Sequence, residues 1–137
     1  MLNAVKAVTL DNLHKEVWAM RSAGFRLVTM TCTDLGDAFD ILYHFDLNYE
    51  LQHLRLCLPK GQALPSVAAI FFAAVLVENE MKDLFGLVVS DLPIDYKGRF
   101  ILAEDAPKAP LAKTVGIPLD IRVRAPAAAP GEESHGA

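Results

Sequence analysis

Hydrophobic and polar positions alternate from Phe39 to Asp46, where Phe39, Ile41, Tyr43 and Phe45 are interleaved with Asp40, His44 and Asp46. A period of two puts one set on each side of an extended strand, one toward a core and one toward water. The same alternation recurs after a break around Asn48, with Leu54, Leu56 and Leu58 pointing one way and His53, Arg55 and Cys57 the other. Phe25 to Cys32 is rich in β-branched and aromatic residues and predicts a third strand. Short turns, Thr33 to Asp37 and the break at Asn48, make an antiparallel meander the natural arrangement. Ahead of it, Asn3 to Val8 predicts a short first strand, and Leu10, Leu13, Val17 and Met20 predict a helix over about 10–22, with Thr9 as candidate cap and Gly24 just beyond its end.

The stretch from Ile70 to Leu87 follows another period. At about 100° per residue, Ile70, Ala74, Val77, Met81, Leu84 and Phe85 share one helical face, which predicts burial on a core. Asn79, Lys82 and Asp83 fall on the opposite, polar side, Glu78 and Glu80 stand at the edges of the stripe, and Glu78 precedes Lys82 by one turn. Ser66 is a candidate helix cap and Gly86 a candidate stop. Phe71, Phe72, Val75 and Leu76 add apolar groups on sides that a solvated helix leaves polar. A helix apolar all round is covered all round, which in so short a chain predicts a partner surface.

Beyond Gly86, Leu87 to Val89 predicts a short strand that must end before Pro93, and a turn at Asp95-Tyr96-Lys97-Gly98 leads to a last strand at Phe100 to Leu102. From Ala103 onward the pattern is lost. Five of the eight prolines lie there among alanines, a composition that buries too little apolar surface to offset its ordering entropy. Residues 1–102 are thus expected to form one domain and 103–137 a tail, partly extended on a partner through Gly116 to Ile121 and disordered from Ala125. The fold class expected is α+β in two layers: a three- to five-stranded mixed or antiparallel sheet with the amino-terminal and central helices on one face.

Composition narrows the function. A net charge of −4 over 137 residues gives no basic patch to suggest nucleic acid. The longest apolar run, Val67 to Val77, falls short of the roughly 20 residues a membrane span needs. The first residues lack a basic start and a long apolar core, so the expected location is cytoplasmic. Cys32 and Cys57 have no C-x-x-C partner and are expected to be buried thiols, too few for an iron–sulfur cluster. His14, His44, His53 and His135 show no zinc-site spacing, and no phosphate-binding or nucleophile-elbow motif occurs. Glu78 and Glu80 diverge by about 200° on a helix and cannot serve one substrate together. Glu80 and Asp83, three apart, could converge on a proton or metal, which leaves a small standalone enzyme as an alternative.

The string Glu78-Asn79-Glu80-Met81-Lys82-Asp83-Leu84-Phe85-Gly86-Leu87 resembles the E-x-E-x-x-D-x-F-G signature of the C-type subunits of complex I and its relatives. Weaker likeness extends over roughly residues 5 to 102, through Thr33 to Asp37, Tyr43 to Asp46, Leu64-Pro65-Ser66 and Asp95 to Gly98. That family supplies a small peripheral-arm subunit to NADH:quinone oxidoreductases and to energy-converting membrane-bound nickel-iron hydrogenases. The quinone-reductase branch follows its FG with a G-H-P-D-L-R-R type loop, whereas Leu87-Val88-Val89-Ser90-Asp91-Leu92-Pro93 stands here, which favours the D-type branch found in the hydrogenases. The resemblance implies a non-catalytic subunit with no cofactor of its own, held peripherally at the membrane by its complex. Its partners would be the large subunit and neighbouring iron–sulfur subunits. The expected interface is Phe71, Phe72, Val75, Leu76, Glu78, Glu80, Asp83, Phe85 and Gly86.

Overall fold

Alternation shapes the two longest strands as expected. In the computed structural model, which describes residues 4–113, β1 (Ala4–Val8) is followed by α1 (Leu13–Ser22), β2 (Arg26–Asp34), β3 (Ala38–Leu47), β4 (Glu50–Pro59), β5 (Leu64–Pro65), α2 (Ala74–Phe85) and β6 (Val89–Ser90). β2, β3 and β4 form the antiparallel meander, and β1 adds to the free side of β4 in parallel, giving a four-stranded mixed sheet of order β1-β4-β3-β2. Asn48 and Tyr49 turn the chain from β3 to β4 with φ of 52° and 68°. Positive φ at both central residues gives a two-residue hairpin the twist of its strands.

Ile41, Tyr43 and Phe45 of β3 and Leu54, Leu56 and Leu58 of β4 are buried in one cluster with Leu13 and Val17 of α1 and Ala74, Val75 and Met81 of α2. Both helices therefore lie on one face, as the α+β expectation has it. Fully burying a side chain of the Leu, Ile or Phe kind is worth about 1.5–3 kcal/mol, so this face is what holds the layers together.

Several local expectations are corrected. The amino-terminal helix starts at Leu13, because Thr9 and Asn12 first close a turn: Thr9 N donates to Asn12 Oδ1 at 2.7 Å and Asn12 N to Thr9 O at 3.3 Å. The central helix starts at Ala74 instead of Ile70, and Ser66 does not cap it. Residues 68–73 form turns that bury Val67, Ala68, Ile70 and Phe71 while leaving Ala69, Phe72 and Ala73 outside. The apolar run is thus sorted by turns, and most of it is covered by its own chain. Phe71 packs on Phe45, with ring centroids 5.6 Å apart, and under the Arg21 guanidinium. Phe100 to Leu102 form no strand, since the Ile101 and Leu102 amides donate to a side chain. The thiols differ from the expected buried pair: Cys57 is exposed, and Cys32 is partly covered with its pKa pushed up to about 12 by burial and then by Asp34 and Asp40.

The segment after Leu102 stays on the body as far as it is described. Leu111 N donates to Leu84 O at 2.8 Å and Lys113 N to Asp34 Oδ2 at 2.5 Å. The expectations for Gly116 to Ile121 and for Ala125 onward lie outside the described residues.

Candidate functional site

Three polar residues of α2, Glu78, Asn79 and Asp83, face inward. Glu78 is 0% exposed; its Oε2 accepts from Ser66 Oγ at 2.6 Å and its Oε1 from Val67 N at 2.8 Å. Ser66 Oγ in turn accepts from Ala68 N, and Ser66 O receives His14 Nε2 at 2.9 Å. Burial raises the pKa of Glu78, while the Ser66 and Val67 hydrogen bonds and the charge of His14 oppose the rise. Tyr43, fully buried, has its pKa raised by burial and then by the charge of Glu78, and its hydroxyl finds no hydrogen-bond partner among the described residues.

One residue on, Asn79 is also buried. Its Nδ2 donates to Val75 O and Ile94 O, both at 2.8 Å, and its Oδ1 accepts from Tyr96 N at 3.0 Å. Asp83 Oδ2 accepts from Ile101 N at 2.6 Å and Leu102 N at 3.2 Å, while its Oδ1 is buried without a partner among the described residues. Lys82 pairs with Asp95 at 2.6 Å instead of with Glu78, and that ion pair lowers the Asp95 pKa. Each buried polar residue of α2 thus holds a different loop: Glu78 takes 66–67, Asn79 takes 94 and 96, and Asp83 takes 101–102. Buried amides left unpaired would each cost about 1–3 kcal/mol, so the helix acts as the post to which these loops are tied.

Gly86 ends α2 in the left-handed conformation, at φ +71°, with its N donating to Lys82 O. A Cβ there would stand 3.2 Å from Ala109 Cβ. A cavity of about 320 Å3 opens at this end, lined by Asp83, Gly86, Lys97, Arg99 and Lys108 among others.

The expected interface residues therefore divide. Phe71, Val75, Glu78 and Asp83 are buried within the chain, and Phe85 is half-buried with its ring edge-on to Phe39. Leu76, at 54% exposed, and Glu80 stand outward one turn apart on α2, and Phe72, at 66%, stands outward in the turn that leads into it. The polar stripe expected at Asn79, Lys82 and Asp83 is corrected: loop amides from residues 94–102 cover it, a long-range demand that helical periodicity does not carry. Glu80 and Asp83 share no hydrogen bond, and the Asp83 oxygen that is paired is occupied by two amides.

On the face of the sheet away from the helices, His44 and His53 are register partners of β3 and β4, with Nδ1 atoms 2.7 Å apart. Sequence spacing missed this contact, although both residues alternate outward and stand at equal distances from the Asn48-Tyr49 turn. Among the described residues, no three or more His, Cys, Asp or Glu side chains are grouped to hold a metal ion. No helix among those residues is long and apolar enough to cross a membrane.

Fold and site define a class: a small α+β unit whose helical signature organises loops and leaves an apolar stripe outside. The chain belongs to the family described as respiratory-chain NADH dehydrogenase, 30 Kd subunit, which it matches over residues 5–119. This bears out the resemblance read on Glu78 to Leu87. In fold it is similar to a chain in the structure of the membrane-bound sulfane sulfur reductase, an archaeal respiratory membrane complex, with a TM-score of 0.66 and 18% identity over 80% of this chain and 68% of that one. No curated protein matches the sequence.

Proposed function

We propose that this chain is an accessory subunit of the peripheral, cytoplasm-facing arm of an energy-converting membrane-bound nickel-iron hydrogenase, where it docks on the catalytic large subunit. It contributes no redox cofactor, and electrons pass through the large subunit and neighbouring iron–sulfur subunits. The observation that carries this reading is the exposure of Phe72 and Leu76 beside a signature whose buried polar members all serve the chain's own loops. Two large apolar side chains, Phe72 in the turn before α2 and Leu76 on its outer side, suit the core of a subunit interface, with Glu80 at its rim. Family membership supports a respiratory complex as host, and the likeness to a chain of the sulfane sulfur reductase complex supports one bound to a membrane.

The hydrogenase branch is supported by the residues after Gly86, where Val89–Ser90 pairs in parallel with Leu64–Pro65 in place of the loop of the quinone-reductase branch. The family's description favours the second reading, the C-type subunit of an NADH:quinone oxidoreductase. Affinity purification of the tagged chain from its native membranes separates the two. A nickel-site large subunit should copurify with the wild-type chain, and Phe72→Glu/Leu76→Glu should lose it while keeping the wild-type circular dichroism spectrum. A quinone-site large subunit in its place would establish the second reading. Recovery of the chain alone would overturn both.

A further inference from the structure

The uncovered face of the sheet carries an arrangement that the docking function does not use. His44 and His53 face each other across β3 and β4, with ring centroids 4.8 Å apart and planes at 79°. Their Nδ1 atoms, 2.7 Å apart, both point into the space between the rings. Behind His44, Nε2 lies 2.7 Å from Thr31 Oγ1 on β2, so three adjacent strands hold the group in place. Both imidazoles are half-buried, and the neighbouring charges are engaged elsewhere: Asp40 binds Arg55 through both of its oxygens, and Asp46 binds Arg26.

We propose that His44 and His53 form a two-histidine site for a first-row divalent cation of the zinc or nickel kind, bound through the two Nδ1 atoms. Imidazole nitrogens suit such ions, with metal–nitrogen distances of about 2.0–2.1 Å. Two nitrogens sharing one ion at an angle between square and tetrahedral stand roughly 2.9–3.4 Å apart at those bond lengths. The pair must therefore open by only a few tenths of an ångström, which side-chain rotation supplies without moving the strands.

A histidine that ligates through one nitrogen donates the N–H of the other to an acceptor, which fixes its tautomer. Thr31 Oγ1 is placed to accept from His44 Nε2. In the metal-free neutral pair, one proton lies between the two Nδ1 atoms. On binding, that proton leaves and an Nε2 regains one, so the cation enters with no net release of protons. No third His, Cys, Asp or Glu among the described residues joins the pair, so water fills the remaining positions in the isolated chain.

Titration calorimetry of the untagged full-length chain with zinc chloride and nickel chloride tests this. One equivalent should bind. His44→Gln and His53→Gln should each abolish saturable one-to-one binding, and Thr31→Val should weaken it about tenfold, as loss of an outer hydrogen bond to a ligand does. His14→Gln, His135→Gln and Cys57→Ser should bind as the wild type does. Circular dichroism of the two glutamine variants should match the wild type, and metal should raise the thermal midpoint of the wild type but not theirs. A wild-type chain that takes up no zinc or nickel, or binding that survives in the double variant, would overturn the proposal and leave a cross-strand hydrogen bond between two rings.

Discussion

Glu78→Ala removes the acceptor at the centre of the loop-holding network. Ser66 Oγ–H, at 2.6 Å, and Val67 N–H, at 2.8 Å, lose their partner inside a core that water does not reach. An orphaned buried donor costs about 1–3 kcal/mol, and two donors with the vacated volume outweigh the relief of no longer burying a carboxylate. The expected loss is about 2–4 kcal/mol, a large part of the stability of a domain this size. Glu78→Gln separates the charge from the shape. Its amide oxygen keeps an acceptor for Val67 N while its Nε2 can donate to Ser66 Oγ, and the lost Ser66 O–H bond is offset by no longer burying an ionisable group, so stability near neutral pH should stay close to wild type.

The pH dependence has a definite sign. Burial raises the Glu78 pKa in the fold, so its contribution is fully present below the ordinary value of 4.5 and is lost as pH rises through the raised one. Urea unfolding of the wild type and both variants at about pH 5 and about pH 8 measures this, and subtracting the Gln variant cancels the other titrating groups. Wild type should lose stability relative to Glu78→Gln on going to the higher pH, and Glu78→Ala should be the least stable near neutrality. Parallel profiles for wild type and Gln, or an Ala variant as stable as wild type, would refute the reasoning.

Two further substitutions probe the same scaffold. Gly86→Ala forces a side chain into the left-handed region against Ala109 and should cost about 1–2 kcal/mol, seen as a lower urea midpoint with an unchanged slope. Asp34→Asn weakens the hold on Lys60 and on the Lys113 amide and should cost about 2–3 kcal/mol near neutrality. Burial opposes ionisation of Asp34, but its bonds to Lys60, Lys113 and Gly36 outweigh it and lower the pKa, so the wild-type advantage should be present above the ordinary value of 3.8 and shrink as pH falls through the lowered one.

The sheet is written in local pattern. Ile41, Tyr43 and Phe45 opposite Leu54, Leu56 and Leu58 are the residues that alternation turns inward, and the Asn48 break falls at the observed turn. The parallel seat of β1 beside β4 rests on contacts about fifty residues apart, which no local period encodes. Asn79 and Asp83 look like a solvated helical face until the 94–102 loops fold over them, and the pattern holds no trace of backbone amides that arrive from elsewhere. Phe71 and Phe72 are neighbours of the same kind, and only the turns at 68–73 decide that one is core and the other surface. The His44–His53 contact was within reach of arithmetic on the hairpin, once its two-residue turn is placed.

The account makes the outer side of α2 the docking surface, and site-specific photocrosslinking in native membranes addresses that most directly. A photoreactive residue replacing Leu76 should capture the large subunit of the host complex, while one replacing Arg55 on the opposite face of the sheet should not. Capture of the large subunit from position 55 and nothing from position 76 would contradict the account.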